Sequence, residues 1–384
     1  MRRSTDHILT THVGSLPRSQ TLVDALLKKD HGEAYDPGEY QRVVSGAVHD
    51  AVRLQAKLGI DIPSDGEQSK VSYSTYMMDR LTGFGGDNER RIALDLKDYP
   101  EFRQKMARMT GTQEFRRSSC IGPVAVKDLS SLHTDIKNLV AAAKESGVAE
   151  AFMNSASPGL VTAFQPNKYY KSHEDYVWAV SDAMKEEYKA IADAGLLLQL
   201  DCPDLAMAAH IAFQDLSEAD FIKRAELHVD AMNAALEGID ASRVRMHICW
   251  GNYEGPHDHD IAVEKLFGVL AKAKPQAILF EGANARHEHE WAAWRNAKLP
   301  DDKILVPGMI DTSSNYVEHP ELVAQRIERW VGIVGRERLI AGTDCGFGTF
   351  AGYGKLDGHI AYKKLGALAE GAAIASKRLW GKAA

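Results

Sequence analysis

Residues 173–201 read HEDYVWAVSDAMKEEYKAIADAGLLLQLD. Through 173–194 the apolar residues recur at helical spacing, which gathers them on one face. After Gly195 the pattern changes to a short apolar run, Leu196-Leu197-Leu198-Gln199-Leu200-Asp201, of strand length and ending on a carboxylate. A helix delivering a buried strand is the repeating unit of an alternating α/β chain.

The same unit can be followed outward in both directions. Upstream lie the strand candidates 151–157, 120–126 (CIGPVAV), 58–65 (LGIDIPSD) and 8–15 (ILTTHVGS). A periodic stretch with Val44, Val48, Ala51 and Val52 precedes 58–65. Downstream lie 244–249 (VRMHIC), 277–281 (AILFE), 304–310 (ILVPGMI) and 339–344 (LIAGTD), with Pro320 opening a helical pattern over 319–334. Eight or nine strand–helix units in 384 residues predict a (β/α)₈ barrel, with 1–384 as one catalytic domain. A doubly wound open sheet is the alternative, but it lacks a G-x-G-x-x-G or P-loop in support. The charged stretch 79–118 is too long for a βα connection, and is expected to be an insertion that caps one end of the barrel.

Composition narrows the class. The chain is 45% hydrophobic and 26% charged, as an ordinary globular protein is. Its net charge is −7 and no basic run is present, which argues against nucleic acid and anionic membrane as partners. There is no uninterrupted apolar run of about 18 residues, and the N-terminal residues do not lead into a signal-type apolar segment. Four cysteines (Cys120, Cys202, Cys249, Cys345) are too scattered for a disulfide framework, so a reducing cytoplasm is the expected setting.

The candidate chemistry lies at strand ends. In 244–249, His247 and Cys249 are two apart and so face the same side of a strand. Glu281, Asp311 and Cys345 end other strands, and strand C-termini form the active-site face of such a barrel. Imidazole with thiolates is a donor mixture that zinc favours. The plain alternative is that His-x-Cys is accidental and each buried cysteine is a small hydrophobe.

Several motifs together resemble the catalytic barrel of cobalamin-independent methionine synthases. They are Thr10-Thr11-His12-Val13-Gly14-Ser15-Leu16-Pro17-Arg18, Asp65-Gly66-Glu67, Gln199-Leu200-Asp201-Cys202-Pro203, His247-Ile248-Cys249 and Asp344-Cys345-Gly346. The resemblance implies a (β/α)₈ barrel and a Zn²⁺ cofactor held by His247, Cys249, Glu281 and Cys345. It further implies that Ser15, Glu67 and Asp201 hold the carboxylate and ammonium of a homocysteine-like thiol. Without it, Ser15 could cap a turn, Asp201 a helix, and Glu67 could be a solvated loop residue.

Two positions depart from the family. Cys202 stands where methionine synthases carry glutamate, which puts an amino-acid thiol in doubt. Ser313, in Asp311-Thr312-Ser313, stands where they carry a proton-donating histidine. The loop after Cys249, running to His257-Asp258-His259, looks closer to the single-barrel branch that includes epoxyalkane:coenzyme M transferases. His257 or His259 would then protonate an opening epoxide, and the alternative for both is a surface turn. The main expectation is therefore a zinc-dependent thiol S-alkyltransferase whose partners are a small thiol and a small electrophilic alkyl donor. Methyl transfer to homocysteine from a donor other than polyglutamylated folate is the first alternative. A zinc hydrolase or lyase is the second, disfavoured because two thiolates weaken the metal as a Lewis acid. Exposed barrel helices leave room for a homo-oligomer.

Overall fold

Five of the apolar runs form one parallel sheet in a computed structural model that describes residues 1–88, 91–110, 116–354 and 356–381. In chain order the strands are β1 (Phe84–Gly85), β2 (Ser119–Cys120), β3 (Phe152–Ala156), β4 (Leu197–Asp201), β5 (Val244–His247), β6 (Ala277–Phe280) and β7 (Ile304–Pro307). Strands β3 to β7 pair in sequence order, each parallel to the next. Single parallel bridges continue the ring: Leu305 to Leu339, Ala341 to Thr10, Thr11 to Ile62, and Ser64 to Phe152. The junctions carry real backbone hydrogen bonds, such as Thr11 N to Ala341 O at 2.9 Å and Phe152 N to Pro63 O at 3.0 Å. Eight parallel segments thus run round an α/β barrel, as the alternation of strand and helix predicts.

Burial on both faces explains why these segments are apolar runs rather than alternating ones. Leu9, Ile62, Phe152, Leu197, Leu279 and Val306 belong to an inner cluster distinct from the larger shell beneath the helices. Arg245 is fully buried in the barrel, its guanidinium 3.8 Å from the Phe152 ring centroid. It donates to Gln199 Oε1, Thr11 Oγ1 and His12 O, so the charge is hydrogen-bonded throughout.

The helix read at 173–194 is His173–Asp193, with Ser172 Oγ accepting from Asp175 N at its start. Pro320 opens the helix Pro320–Val334, as its fixed φ favours. One strand expectation fails. Of 120–126 only Cys120 lies in a strand, and β2 pairs antiparallel with β1 away from the barrel. Gly122-Pro123 ends the run because proline has no N–H to donate, and Gly83 packs so closely there that an added Cβ would lie 2.7 Å from Gly122 O.

The stretch 79–118 does cover the barrel mouth. Its helices Leu94–Asp98 and Pro100–Thr110 lie over the strand C-termini, while 89–90 and 111–115 fall outside the described residues. Asp95 fastens this cap, accepting from Tyr253 Oη at 2.5 Å and His257 N at 3.2 Å. Among the described residues, no helix is long and apolar enough to cross a membrane.

Candidate metal centre and substrate cavity

β5 ends on His247, and the next residue on the same side is Cys249. Tertiary closure brings Cys345 to them from near the chain's other end. One donor atom from each of the three lies within 4.8 Å of the other two. Cys345 Sγ is 3.8 Å from His247 Nε2. A tetrahedral ion with bonds of about 2.0–2.3 Å needs donors roughly 3.3–3.8 Å apart, so small side-chain shifts suffice. The donor chemistry fits as well. Burial pulls the His247 pKa down to about 4, so its imidazole is neutral and has a lone pair to give. The Cys249 thiol alongside, together with burial, pushes Cys345 well above the usual thiol range. Two thiols crowded in a dry site resist ionisation, and a dication is the group that relieves this.

Glu281, just past β6, is held in place on both oxygens. Oε1 accepts from Trp250 N at 2.8 Å and Oε2 from Asn284 Nδ2 at 2.7 Å. Oε1 lies 4.0 Å from Cys345 Sγ, beside the His–Cys–Cys group but outside it. Behind it sits Asp344, which accepts from the backbone N–H groups of Gly282, Ala283 and Asn284 at 2.7–2.8 Å. Burial and the neighbouring Glu281 charge raise Asp344 to about 7. Position 308 must be glycine for this, since an added Cβ would lie 1.9 Å from Asp344 Oδ1.

His247, Cys249 and Cys345 open into a cavity of about 430 Å³ that is also lined by Ser15, Glu67 and Asp201. Burial raises Glu67 to about 7 and Asp201 to about 6. Asp201 is held by Gln199 Nε2 at 2.9 Å and Asn154 Nδ2 at 3.0 Å. Glu67 adopts a left-handed backbone (φ 55°), and among the described residues its Oε2 has no hydrogen-bond partner. Holding a non-glycine residue there costs about 1 kcal/mol or more, which the surrounding loop must offset. Ser15 packs against Gly346, where a Cβ would come 2.0 Å from Ser15 Oγ. Asn154 and Lys70, whose Nζ donates to Asn154 O at 2.7 Å, complete the support for Asp201. Sequence reading missed both, although Asn154 in an apolar strand and Lys70 just after Asp65-Gly66-Glu67 were visible cues.

The remaining sequence candidates are not brought to this cavity. His257 lines a neighbouring cavity with Glu281, and both its ring nitrogens are engaged: Nδ1 lies 3.1 Å from Asp260 Oδ2 and Nε2 2.9 Å from Tyr253 O. His259 is half-exposed, its Nε2 2.8 Å from Asp98 Oδ2 on the cap. Ser313 Oγ donates to Asp311 Oδ1 at 2.8 Å. Cys202 points away from the cavity, its thiol 3.5 Å from Leu200 O and 3.8 Å from Met232 Sδ in the core. Cys202 itself therefore does not line the cavity.

The chain is similar to known proteins along nearly its whole length. The family model described as "Cobalamin-independent synthase, Catalytic domain" matches residues 8–93. A methionine synthase of Saccharolobus solfataricus is 25% identical over 375 residues, covering 96% of this chain and 95% of that protein. The structure of a B12-independent methionine synthase from Shewanella sp. W3-18-1 superposes with a TM-score of 0.73 at 22% identity, covering 98% of this chain and 100% of that one. The structure of a putative vitamin-B12 independent methionine synthase from Listeria monocytogenes gives 0.65 at 18% identity, covering 98% and 99%. These two establish the barrel fold. The chain is thus similar to cobalamin-independent methionine synthases, in residues 8–93 by the family model and over nearly its whole length by the relatives named.

Proposed function

We propose that this protein is a zinc-dependent methyltransferase that methylates the sulfur of homocysteine. The observation that carries this reading is the shared cavity: Ser15, Glu67 and Asp201 line it together with His247, Cys249 and Cys345. Two buried carboxylates with raised pKa values call for a cation, and an amino-acid ammonium supplies one. A sulfur on the same small molecule would then lie toward the three metal-binding candidates.

His247, Cys249 and Cys345 would hold the zinc, with Glu281 as the exchangeable fourth ligand, since a hard carboxylate yields to sulfur more readily than thiolate does. When bound, zinc supplies the charge that keeps a thiol deprotonated yet nucleophilic near neutral pH. Glu67 and Asp201 bind and orient the ammonium, and Ser15 lies beside them for the carboxylate. The cap excludes water from the sulfur. Ser313 is a poor proton donor, because an unperturbed hydroxyl hardly ionises and this one is committed to Asp311. A methyl donor whose leaving group needs no protonation fits that substitution.

The test is a thiol screen by heat of binding on the zinc-loaded chain, using homocysteine, coenzyme M, glutathione and cysteine. Mass-spectrometric detection of methionine from a panel of methyl donors follows. Homocysteine should bind with clear preference. Binding of coenzyme M without homocysteine would overturn the reading in favour of the alkyltransferase branch.

A further inference from the structure

The loop after Cys249 ends on a buried carboxylate that lies outside both the metal-binding group and the substrate cavity. The Asp260 side chain is only 2% exposed, and histidines from three separate segments face it. His257 Nδ1 and His287 Nε2 each lie 3.1 Å from its Oδ2, and His210 Nδ1 lies 3.5 Å from its Oδ1. The second nitrogen of His257 meets Tyr253 O at 2.9 Å, and that of His287 meets Glu290 Oε2 at 3.0 Å. Each of these two rings has an oxygen acceptor at both nitrogens, so each carries both protons and a positive charge. Burial opposes the Asp260 charge, but hydrogen bonds from His257 and His287 hold its carboxyl below the usual range.

Two chains of contact leave this cluster. Toward the cap, His257 N donates to Asp95 Oδ2 at 3.2 Å, and Leu94 N donates to His210 O at 3.0 Å. Toward the metal-binding candidates, His287 N donates to Asn284 Oδ1 at 3.0 Å, and Asn284 Nδ2 holds Glu281 Oε2. The other Glu281 oxygen is held by Trp250 N. That indole donates to Ile261 O at 2.6 Å and lies against the His287 ring, with 4.4 Å between centroids. Among the described residues, none from the cap lines the cavity beside Glu281. The cluster at Asp260 bridges the two.

We infer that Asp260 is a positioning residue for Glu281, and that it couples the seating of the cap to the grip on that carboxylate. The seated cap fixes His257 and His210, these fix Asp260, and Asp260 fixes the His287 turn from which Asn284 reaches Glu281. A displaced cap therefore loosens Glu281, the ligand proposed above to yield to sulfur. The inference rests on the zinc reading for what Glu281 does, but the coupling itself can be measured without metal.

Hydrogen exchange on the full-length, metal-free chain measures it. Asp95→Ala, a change in the cap alone, should speed exchange about 10-fold in 94–110 and also in 282–290, with β3 to β7 unchanged. Asp260→Asn keeps the shape but removes the charge between two imidazolium rings, and should speed both segments at least as much. Faster exchange confined to 94–110 in Asp95→Ala would overturn the inference, as would acceleration spread over the whole barrel. If Asp260→Asn fails to fold, the Asp95→Ala comparison decides alone. On the zinc-loaded chain, X-ray absorption should show a reduced oxygen contribution in Asp260→Asn at equal zinc content. An identical spectrum there would overturn the positioning role, unless Glu281→Ala leaves the spectrum identical too. In that case the ligand reading of Glu281 falls, and the exchange result decides the coupling.

Discussion

Asp201 and His247 are register partners on adjacent strands, and the carboxylate Oδ1 stands 3.8 Å from the imidazole Nδ1. One strand pairing therefore sets the spacing between the proposed ammonium site and the proposed sulfur site. At 3.8 Å the two groups are too far apart for a hydrogen bond, so Asp201 acts by its charge rather than by orienting the ring. Asp201→Asn should weaken homocysteine binding about 10-fold while zinc content stays near that of the unaltered chain. Calorimetry and metal analysis on the same preparation check this. A parallel loss of zinc would show instead that Asp201 positions His247.

Cys345→Ser should abolish zinc retention through dialysis and, with it, the heat of thiol binding. The hydroxyl is a far poorer ligand than a thiolate, and only His247 and Cys249 would remain of the close group. Full activity in a metal-free Cys345→Ser chain would exclude a zinc mechanism.

His259 pairs with the cap across an exposed rim, which makes it a weak latch. Surface pairs of this kind are worth about 0–1 kcal/mol. His259→Ala should therefore change turnover by no more than about threefold and leave the pH profile in place. A 100-fold loss, or loss of one limb of the profile, would return His259 to the role of proton donor.

His287 gives a pH prediction whose sign can be worked out. Burial opposes its charge, but hydrogen bonds to Asp260 (3.1 Å) and Glu290 (3.0 Å) outweigh burial and raise it to about 10. A folded-state value above the unfolded one stabilises fully below about pH 6.5, and that contribution is lost as pH rises toward 10. His287→Gln should cost about 3 kcal/mol at pH 7, where two buried carboxylates lose their cation, and distinctly less at pH 10.5. Denaturant unfolding at the two pH values decides it; an equal loss at both would mean His287 is neutral when folded.

Gly308→Ala should destabilise the chain by about 1–3 kcal/mol, because the new methyl overlaps Asp344 Oδ1. It should also lower zinc affinity, since Asp344 braces the loop behind Glu281. Urea unfolding and metal competition measure the two effects, and a neutral result on both would mean the carboxylate moves aside freely.

Much of the site was legible in the sequence because strand periodicity is local. His247 and Cys249 share a side once the backbone there is extended, and the strand–helix alternation favoured the barrel over an open sheet. Length alone could not separate a barrel strand from the short antiparallel pairing of Cys120 with Phe84, since a short apolar run suits either one until its partner is known. Likewise His257 and His259 follow closely after Cys249, yet Asp260 and Asp98 draw them to other surroundings.

By itself, then, the sequence determined which side chains carry donors, which strand faces they share, and that strand and helix alternate. Tertiary structure alone decided that Cys345 meets His247, that Cys202 turns into the core, and that the cap shares one cavity with Glu67 and Asp201. The reason is physical. Side-chain direction along a strand follows from the backbone's two-residue repeat, whereas contacts between distant segments depend on register and closure, which no short stretch encodes.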